Sequence, residues 1–227
     1  MACRLPLMLL IALGSVAAYH CVDGVNNVID VVDNSEGDTA LSLRNVKIRT
    51  YDTKKRPFCS EGRPAIRFPG KLLIASGEIR ISEGLKNREY PLKLELSTAK
   101  NSFFIGTVCS GGVSQKWLVP NALCKLEMCE LFGFENCALL EHIEVLKVSD
   151  IPWPVFVDIG ALPLPGAFLK GEWKISMDVT QKGITKSSVT LANNGEWVNV
   201  EKSTDRDDYW HPLRSIVPGW INRMAYM

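Results

Sequence analysis

Apolar and polar positions alternate in several short segments of the chain, and this period of two predicts β-strands. The clearest case is residues 90–98, where Leu92, Leu94 and Leu96 fall on one face and charged residues fall on the other. Gly183 marks a turn between two such segments, which predicts a hairpin. The strand-like segments are residues 39–50, with a register slip near Asn45, and residues 71–82, 90–98, 102–108, 172–181 and 184–192.

One segment has a helical period instead. In residues 120–134, apolar side chains recur at helical intervals from Leu123 to Phe132, and Asn121 is a suitable N-cap residue. Short strands separated by turn signals are typical of a β-sandwich or a β-cup. The sequence therefore predicts a mainly β fold that includes one short helix.

The first eighteen residues are typical of a secretory signal peptide. Arg4 provides a basic start, "LPLMLLIALGSVAA" is a short apolar run, and Val16 and Ala18 suit a cleavage site before Tyr19. The alternative is a membrane anchor, but the run is short for spanning a bilayer. We therefore expect a secreted or extracellular protein.

The charges of the chain are nearly balanced. There are 26 Lys and Arg residues, of which Arg4 lies in the signal peptide, against 25 Asp and Glu residues. A chain without excess positive charge does not attract nucleic acid by its bulk field. We therefore expect no nucleic-acid partner.

Six cysteines remain after Cys3 leaves with the signal peptide. An even number in an oxidising compartment indicates disulfides, although the sequence leaves the pairing open. The competing interpretation is zinc binding. The spacings "CKLEMC" and "CELFGFENC" do not form paired C-x-x-C units, and only His142 lies nearby. We expect no metal site.

Enzymatic activity is not expected, because no acid, base and nucleophile converge. His20 lies beside the cleavage site, and His211 lies in an acidic tail. His142 is the strongest candidate base, but no G-x-S-x-G motif accompanies it. "CSGGVSQ" lacks the G-K-[ST] ending of a phosphate loop, so no cofactor is expected. A hydrolase that depends on His142 remains an alternative.

Two loops are unusually apolar. Residues 151–169, "IPWPVFVDIGALPLPGAFL", contain four prolines and one charge, and residues 115–123 contain Trp117 in "QKWLVPNAL". Proline is rare inside strands, and extended apolar surface is rare on soluble proteins. One interpretation is that these side chains fill the core. The other is that they form a hydrophobic mouth.

Four stretches of the chain resemble, in order and spacing, the ML-domain lipid-recognition family, and most closely its lysosomal ganglioside-activator branch. The stretches are "FCSEG", "RFPGKLLIASGEIRISEGLKNREYPLKLELS" (67–97), "VCSGGVSQKWLVPNALCKLEMCELFGFENC" (108–137) and "LPLPGAFLKGEWKISMDVTQKG" (162–183). The resemblance covers residues 57–192. It implies an immunoglobulin-like β-sandwich or β-cup of two antiparallel sheets, with a short disulfide-linked helix and an apolar cavity for one lipid.

The resemblance also implies a function and a disulfide pattern. On this resemblance we expect a glycolipid, phospholipid, fatty acid or sterol as ligand, transient contact with a membrane, and an extracellular or lysosomal location. For a glycolipid ligand, the resemblance also implies presentation to a glycosidase. The last hairpin lacks the cysteine of that branch, and no N-x-[ST] glycosylation site occurs. The pairs then expected are Cys21–Cys59, Cys109–Cys124 and Cys129–Cys137.

We therefore divide the chain into a signal peptide (1–18), an N-terminal segment with the first strand (19–56), a lipid-binding domain (57–192) and a partly disordered C-terminal extension (193–227). The tail contains Trp210 and Trp220, for which an interfacial membrane contact is the alternative. A secreted ligand or co-receptor that uses the same fold for protein recognition is the alternative function. The residues expected to line the cavity or its mouth are Leu94, Leu96, Phe104, Trp117, Leu118, Trp153, Phe156, Leu162, Leu164, Phe168, Leu169, Trp173, Ile175 and Met177.

Overall fold

The computed structural model describes residues 20–35, 39–81, 91–132, 144–193, 195 and 197–203. The expected signal peptide, Cys137, His142, His211 and the aromatic tail after residue 203 lie outside these residues.

Strands make up most of the described chain. The strands are β1 (Val28–Asp33), β2 (Leu41–Tyr51), β3 (Cys59–Ser60), β4 (Arg63–Phe68), β5 (Gly70–Ile81), β6 (Lys93–Lys100), β7 (Thr107–Ser110), β8 (Val113–Ser114), β9 (Lys125–Glu127), β10 (Val145–Lys147), β11 (Val155–Ile159), β12 (Gly171–Gln181), β13 (Ile184–Ala192) and β14 (Val198–Lys202). Two short α-helices, α1 (Met128–Phe132) and α2 (Gly166–Leu169), and two 3-10 turns, Asn121–Leu123 and Val148–Asp150, complete the described elements.

The strands pair into one curled sheet. Its main path runs β10, β5, β2, β1, β13, β12, β14, β4 and β3. β11 also pairs with β5, while β6 pairs with β12 and carries β7 and β9. The prediction of a mainly β cup is confirmed, and the two expected layers are joined through β1, β13 and β12. All pairs are antiparallel except β14 with β4, which is parallel.

The predicted slip near Asn45 is confirmed. The register of β2 against β5 shifts between Arg44 and Lys47, and Asn45 has a φ of 51°. The shift lies opposite Gly77, which has a φ of 120°. An ideal Cβ at Gly77 would lie 2.6 Å from Val46 Cα, so only glycine allows this close approach of the two backbones.

The predicted hairpin is also confirmed. β12 and β13 are joined by Lys182 and Gly183, which have φ values of 55° and 75°. Two successive positive φ values are typical of the two-residue turns that match strand twist. The alternation in β12 places Trp173 and Val179 on the buried face, as expected.

The predicted helix over 120–134 is only partly correct. The segment contains a 3-10 turn, then β9, and only then the five-residue helix α1. Leu126 pairs with Leu94 of β6. The backbone N–H and C=O groups of this segment therefore form hydrogen bonds in the sheet, which they would form within the segment in a continuous helix. Sheet pairing therefore overrides the helical period of this segment.

Three further strands differ from the expectations. The predicted strand 102–108 is a tight turn until Thr107, where β7 begins. β1 was not predicted, and β14 lies in the segment assigned to the C-terminal extension. β14 joins the sheet because Val198 and Val200 bury their side chains in the core between β12 and β4.

Two of the three expected disulfides are confirmed. Cys21 is bonded to Cys59, and Cys109 is bonded to Cys124. Cys129 is also disulfide-bonded, and its expected partner Cys137 lies outside the described residues. The first bond fixes the N-terminal segment to β3, and the second fixes the 3-10 turn to β7.

Two clusters of buried apolar side chains form the core. The larger cluster surrounds Trp173 and includes Ile66, Leu164, Leu169 and Val198. The smaller cluster lies where β2, β5, β6 and β12 meet α1, and consists of Leu41, Ile81, Leu94, Met128 and Val179. The curled sheet leaves a space between its walls.

Candidate functional site

A cavity of about 210 Å³ lies inside the curled sheet. Eight strands, α1 and the turn before β11 contribute to its wall. All twenty lining residues are aliphatic or methionine: Val31, Leu41, Leu43, Val46, Ile48, Leu72, Ile74, Ile79, Leu94, Met128, Leu131, Leu146, Val148, Ile151, Val155, Val157, Met177, Val179, Val189 and Leu191. The cavity therefore offers hydrocarbon surface on every side that the described residues form.

Strand alternation builds this lining. In β11, Val155 and Val157 face the cavity, while Phe156 lies on the other face. There the ring of Phe156 packs edge-on against Tyr51 with 5.7 Å between centroids, and Lys55 Nζ lies 4.7 Å from its centroid. Because successive side chains in a strand point to opposite faces, one apolar face in each strand is enough to line the hollow.

The cavity wall has one gap in its backbone pairing. Among the described residues, neither β10 nor β11 pairs with β6 or β9, so the described part of the sheet is open at this point. We call this gap the seam. Helix α1 spans it: it follows β9 directly, contacts β11, and begins with a 2.9 Å hydrogen bond from Met128 N to Leu92 O. Met128 and Leu131 of α1 line the cavity at the seam.

None of the described residues that line the cavity has an acidic, basic or hydroxyl side chain. Polar side chains that are buried lie elsewhere and are hydrogen-bonded, and no buried side-chain nitrogen or oxygen in the described part lacks a partner. A cavity with no hydrogen-bonding groups is a poor site for water, which needs several polar partners. The described lining therefore suits a hydrocarbon.

The shifted pKa values belong to groups outside the cavity. The hydrogen bond that Tyr51 Oη donates to Asp23 lowers the pKa of that carboxyl, while burial raises the pKa of Tyr51. Burial lowers the pKa of Lys100, whose Nζ donates to Ala167 O at 3.0 Å and Phe168 O at 2.8 Å. These interactions fix loops to the sheet and do not reach the cavity.

Two of the fourteen candidate residues line the cavity, namely Leu94 and Met177. Leu96, Ile175 and Trp173 have the inward orientation that alternation predicts, but they pack in the larger core cluster. Trp173 is buried, and its indole Nε1 donates a 2.6 Å hydrogen bond to Leu169 O. The inward faces of β6 and β12 are therefore divided between cavity and solid core.

The proline-rich segment mostly packs into the core. Leu164 and Leu169 are buried, and Leu162 and Phe168 are partly buried against the same cluster. None of these four lines the cavity. Lys202 Nζ donates to Leu164 O at 2.9 Å, which fixes the segment to β14.

Other candidate residues lie at the surface. Phe104 is 90% exposed, so its expected place in the cavity is wrong; it follows Phe103, which is 98% exposed, in the turn before β7. Trp117 is 96% exposed and Trp153 is 52% exposed. Trp153 lies between Ile151 and Val155, which both line the cavity. Leu118 is partly buried against the larger core cluster.

Most lining residues come from strands that the candidate set did not include. β2 contributes Leu41, Leu43, Val46 and Ile48, and these apolar positions were visible in the sequence as one face of a strand. Period-two patterning shows that a face is buried but not whether it meets a solid core or a hollow. For this reason the candidate residues did not include those that line the cavity from β1, β5, β11 and β13.

Among the described residues, no group of His, Cys, Asp and Glu side chains is arranged to hold a metal ion, and no helix has the length and apolar character to cross a membrane. No protein-family model matches the chain, and a comparison with curated proteins finds no significantly similar sequence.

Proposed function

We propose that this protein binds a lipid by enclosing its hydrocarbon in the cavity and transfers it between membranes or to other proteins. The observation that carries the proposal is the lining, in which every described residue is aliphatic or methionine. A solid core would favour the alternative, protein recognition by a ligand or co-receptor. We further propose that the chain forms an ML-type domain without catalytic activity, which acts outside the cell or in the lysosomal lumen. In the wider form of the proposal, the protein presents a glycolipid to a soluble glycosidase.

The energetic role of such a cavity concerns the transfer path. A hydrocarbon chain in a bilayer is already in an apolar medium, so moving it into an aliphatic cavity changes its free energy little. Exposing the chain to water on the way costs about 0.8 kcal/mol per methylene. A carrier accelerates transfer because it replaces that exposed path by a sheltered one.

The proposal also includes a membrane-contacting surface, which we call the aromatic end: Phe103, Phe104 and Trp117. The two phenylalanine rings pack edge-to-face with centroids 5.6 Å apart, and all three rings are almost fully exposed. Exposed aromatic side chains are unfavourable in water and favourable at the membrane interface.

The charge pattern supports this assignment of the aromatic end. Residues 101–124 contain a single charged side chain, Lys116, and the adjacent segment 159–169 contains none. Hydrogen bonds from Lys100 Nζ to the carbonyls of Ala167 and Phe168 hold the two segments together. A surface without acidic groups avoids repulsion from anionic lipid headgroups.

The proposal is tested by lipid binding with a cavity-filling variant. The probe is a polyene fatty acid whose fluorescence rises in apolar surroundings. Ile74→Trp fills the cavity and should weaken binding at least about tenfold, because each displaced methylene contributes about 0.8 kcal/mol. Leu73→Trp is the matched control, since Leu73 is the neighbouring residue on the opposite face of β5. Absence of binding by the unmodified protein, or equal loss in both variants, contradicts the proposal.

A further inference from the structure

The size of the cavity limits what its ligand can be, and this inference rests on the proposed lipid-binding function. We infer that the cavity takes one unbranched hydrocarbon chain, with about eight to ten of its carbons inside, and excludes sterols and two-chain lipids. Three features of the cavity support this inference: its volume, the polarity of its lining and the place where a chain can leave it.

The volume fits a single chain. A protein cavity of about 150 Å³ lined by aliphatic and aromatic side chains binds benzene, which has six carbons. On that scale the present cavity of about 210 Å³ holds roughly eight to ten carbons. A four-ring sterol or a second acyl chain would need the walls to move apart, which the hydrogen-bonded strands β1, β2, β5, β12 and β13 resist.

The lining requires that the polar end of the ligand stays outside. Among the described residues, the lining contains no nitrogen or oxygen side-chain atom that could form a hydrogen bond. Burying a hydroxyl, ester or carboxylate there is strongly unfavourable, because the group loses its hydrogen bonds to water and gains no partner. The buried part of the ligand is therefore pure hydrocarbon.

The chain leaves the cavity at the seam, where the described wall lacks strand pairing. The 3-10 turn beside the seam is amphipathic: Val148 and the following Ile151 line the cavity, whereas Ser149 and Asp150 between them are exposed. Leu131 of α1 lines the cavity nearby and is only half-buried. A headgroup at this position meets water and polar groups, while its chain passes between apolar side chains.

The test is a series of lysophosphatidylcholines with chains of about six to eighteen carbons, measured by displacement of the polyene fatty acid below their critical micelle concentrations. Affinity should rise about fourfold per added carbon and then stop rising beyond about eight to ten carbons. Diacyl phosphatidylcholine is the matched two-chain lipid with the same headgroup, and cholesterol is the ring probe.

The outcomes separate this inference from the proposed function. Tighter binding of cholesterol or diacyl phosphatidylcholine than of the best lysolipid overturns the single-chain inference and leaves lipid binding intact. A rise in affinity that continues to the longest chain has the same consequence. Failure of every probe to bind overturns the proposed function itself.

A wall variant provides a second, independent measurement. Met177→Ala removes three heavy atoms from the lining, so the plateau should move to chains longer by about three carbons. Ser176→Ala is the control, because Ser176 lies on the opposite face of β12 and bonds to Thr190. An unchanged plateau in a folded Met177→Ala protein contradicts the inference.

Discussion

The close approach of β2 and β5 at Gly77 makes Gly77→Ala strongly destabilising. The new Cβ would lie 2.6 Å from Val46 Cα and 2.9 Å from Val46 N, which are backbone atoms that move only if β2 moves. The φ of 120° adds strain for any residue with a Cβ, of about 1–3 kcal/mol. Forcing extra atoms into a packed site costs about 1–3 kcal/mol more. We therefore expect the free energy of unfolding to fall by about 4 kcal/mol.

The assay is chemical denaturation followed by tryptophan fluorescence, with Gly106→Ala as the control. Gly106 also has a positive φ, 55°, but nothing lies within 4 Å of its ideal Cβ. Its substitution should cost only the backbone strain, about 1 kcal/mol. Equal losses for the two variants would refute the argument that close contact with Val46 dominates. Because Val46 lines the cavity, Gly77→Ala should also weaken binding of the fluorescent fatty acid.

Three further predictions concern the N-terminal segment and the aromatic end. The hydrogen bond from Tyr51 lowers the pKa of Asp23 in the folded protein. Its contribution to stability is therefore complete above the ordinary pKa of 3.8 and is lost as the pH falls through the lowered pKa. Tyr51→Phe should reduce this pH dependence of stability in acid unfolding. Replacing Cys21 and Cys59 together by serine opens a loop with a sequence separation of 38 residues and should cost about 4 kcal/mol of stability in denaturant titrations. Phe104→Ser should weaken sedimentation with phospholipid vesicles without weakening fatty-acid binding in solution, because Phe104 does not line the cavity.

Each of these predictions has a matched comparison. An acid-unfolding curve of unchanged shape in Tyr51→Phe would contradict the role of its hydrogen bond. Opening Cys109–Cys124, with a separation of 15 residues, should cost less, about 3 kcal/mol, and the reverse order would refute the loop-entropy argument. Ile184→Ser removes another exposed apolar side chain, from the tip of the β12–β13 hairpin, and should leave vesicle binding unchanged.

The sequence predicts local structure well where one signal dominates. Period-two alternation predicts β2, β5, β6, β12 and β13, because a strand with one buried face must place apolar side chains at every second position. Gly183 predicts the turn between β12 and β13, because its positive φ suits glycine. The six cysteines that follow the expected signal peptide indicate disulfides before any geometry is known.

The helix and the aromatic turn show why local signals fail elsewhere. Leu126 fits a helical period equally well, but β6 offers it a strand partner in Leu94. Phe103 and Phe104 have high strand propensity, yet they lie in a turn that is closed by a hydrogen bond from Lys100 N to Gly106 O. In both cases contacts or backbone bonds formed in the folded chain override the preference of the side chain.

The sequence by itself determined which side chains are apolar, at which period they recur and where the chain turns. Only the tertiary structure decided whether those apolar faces meet each other or a hollow, because the outcome depends on how far the sheet curls and where its edges stop pairing. Trp173 and Met177 lie on the same face of β12 in the sequence pattern, two and six residues after the first residue of that strand. The first packs in the solid core and the second lines the cavity, since packing between distant strands sets the space that each one meets.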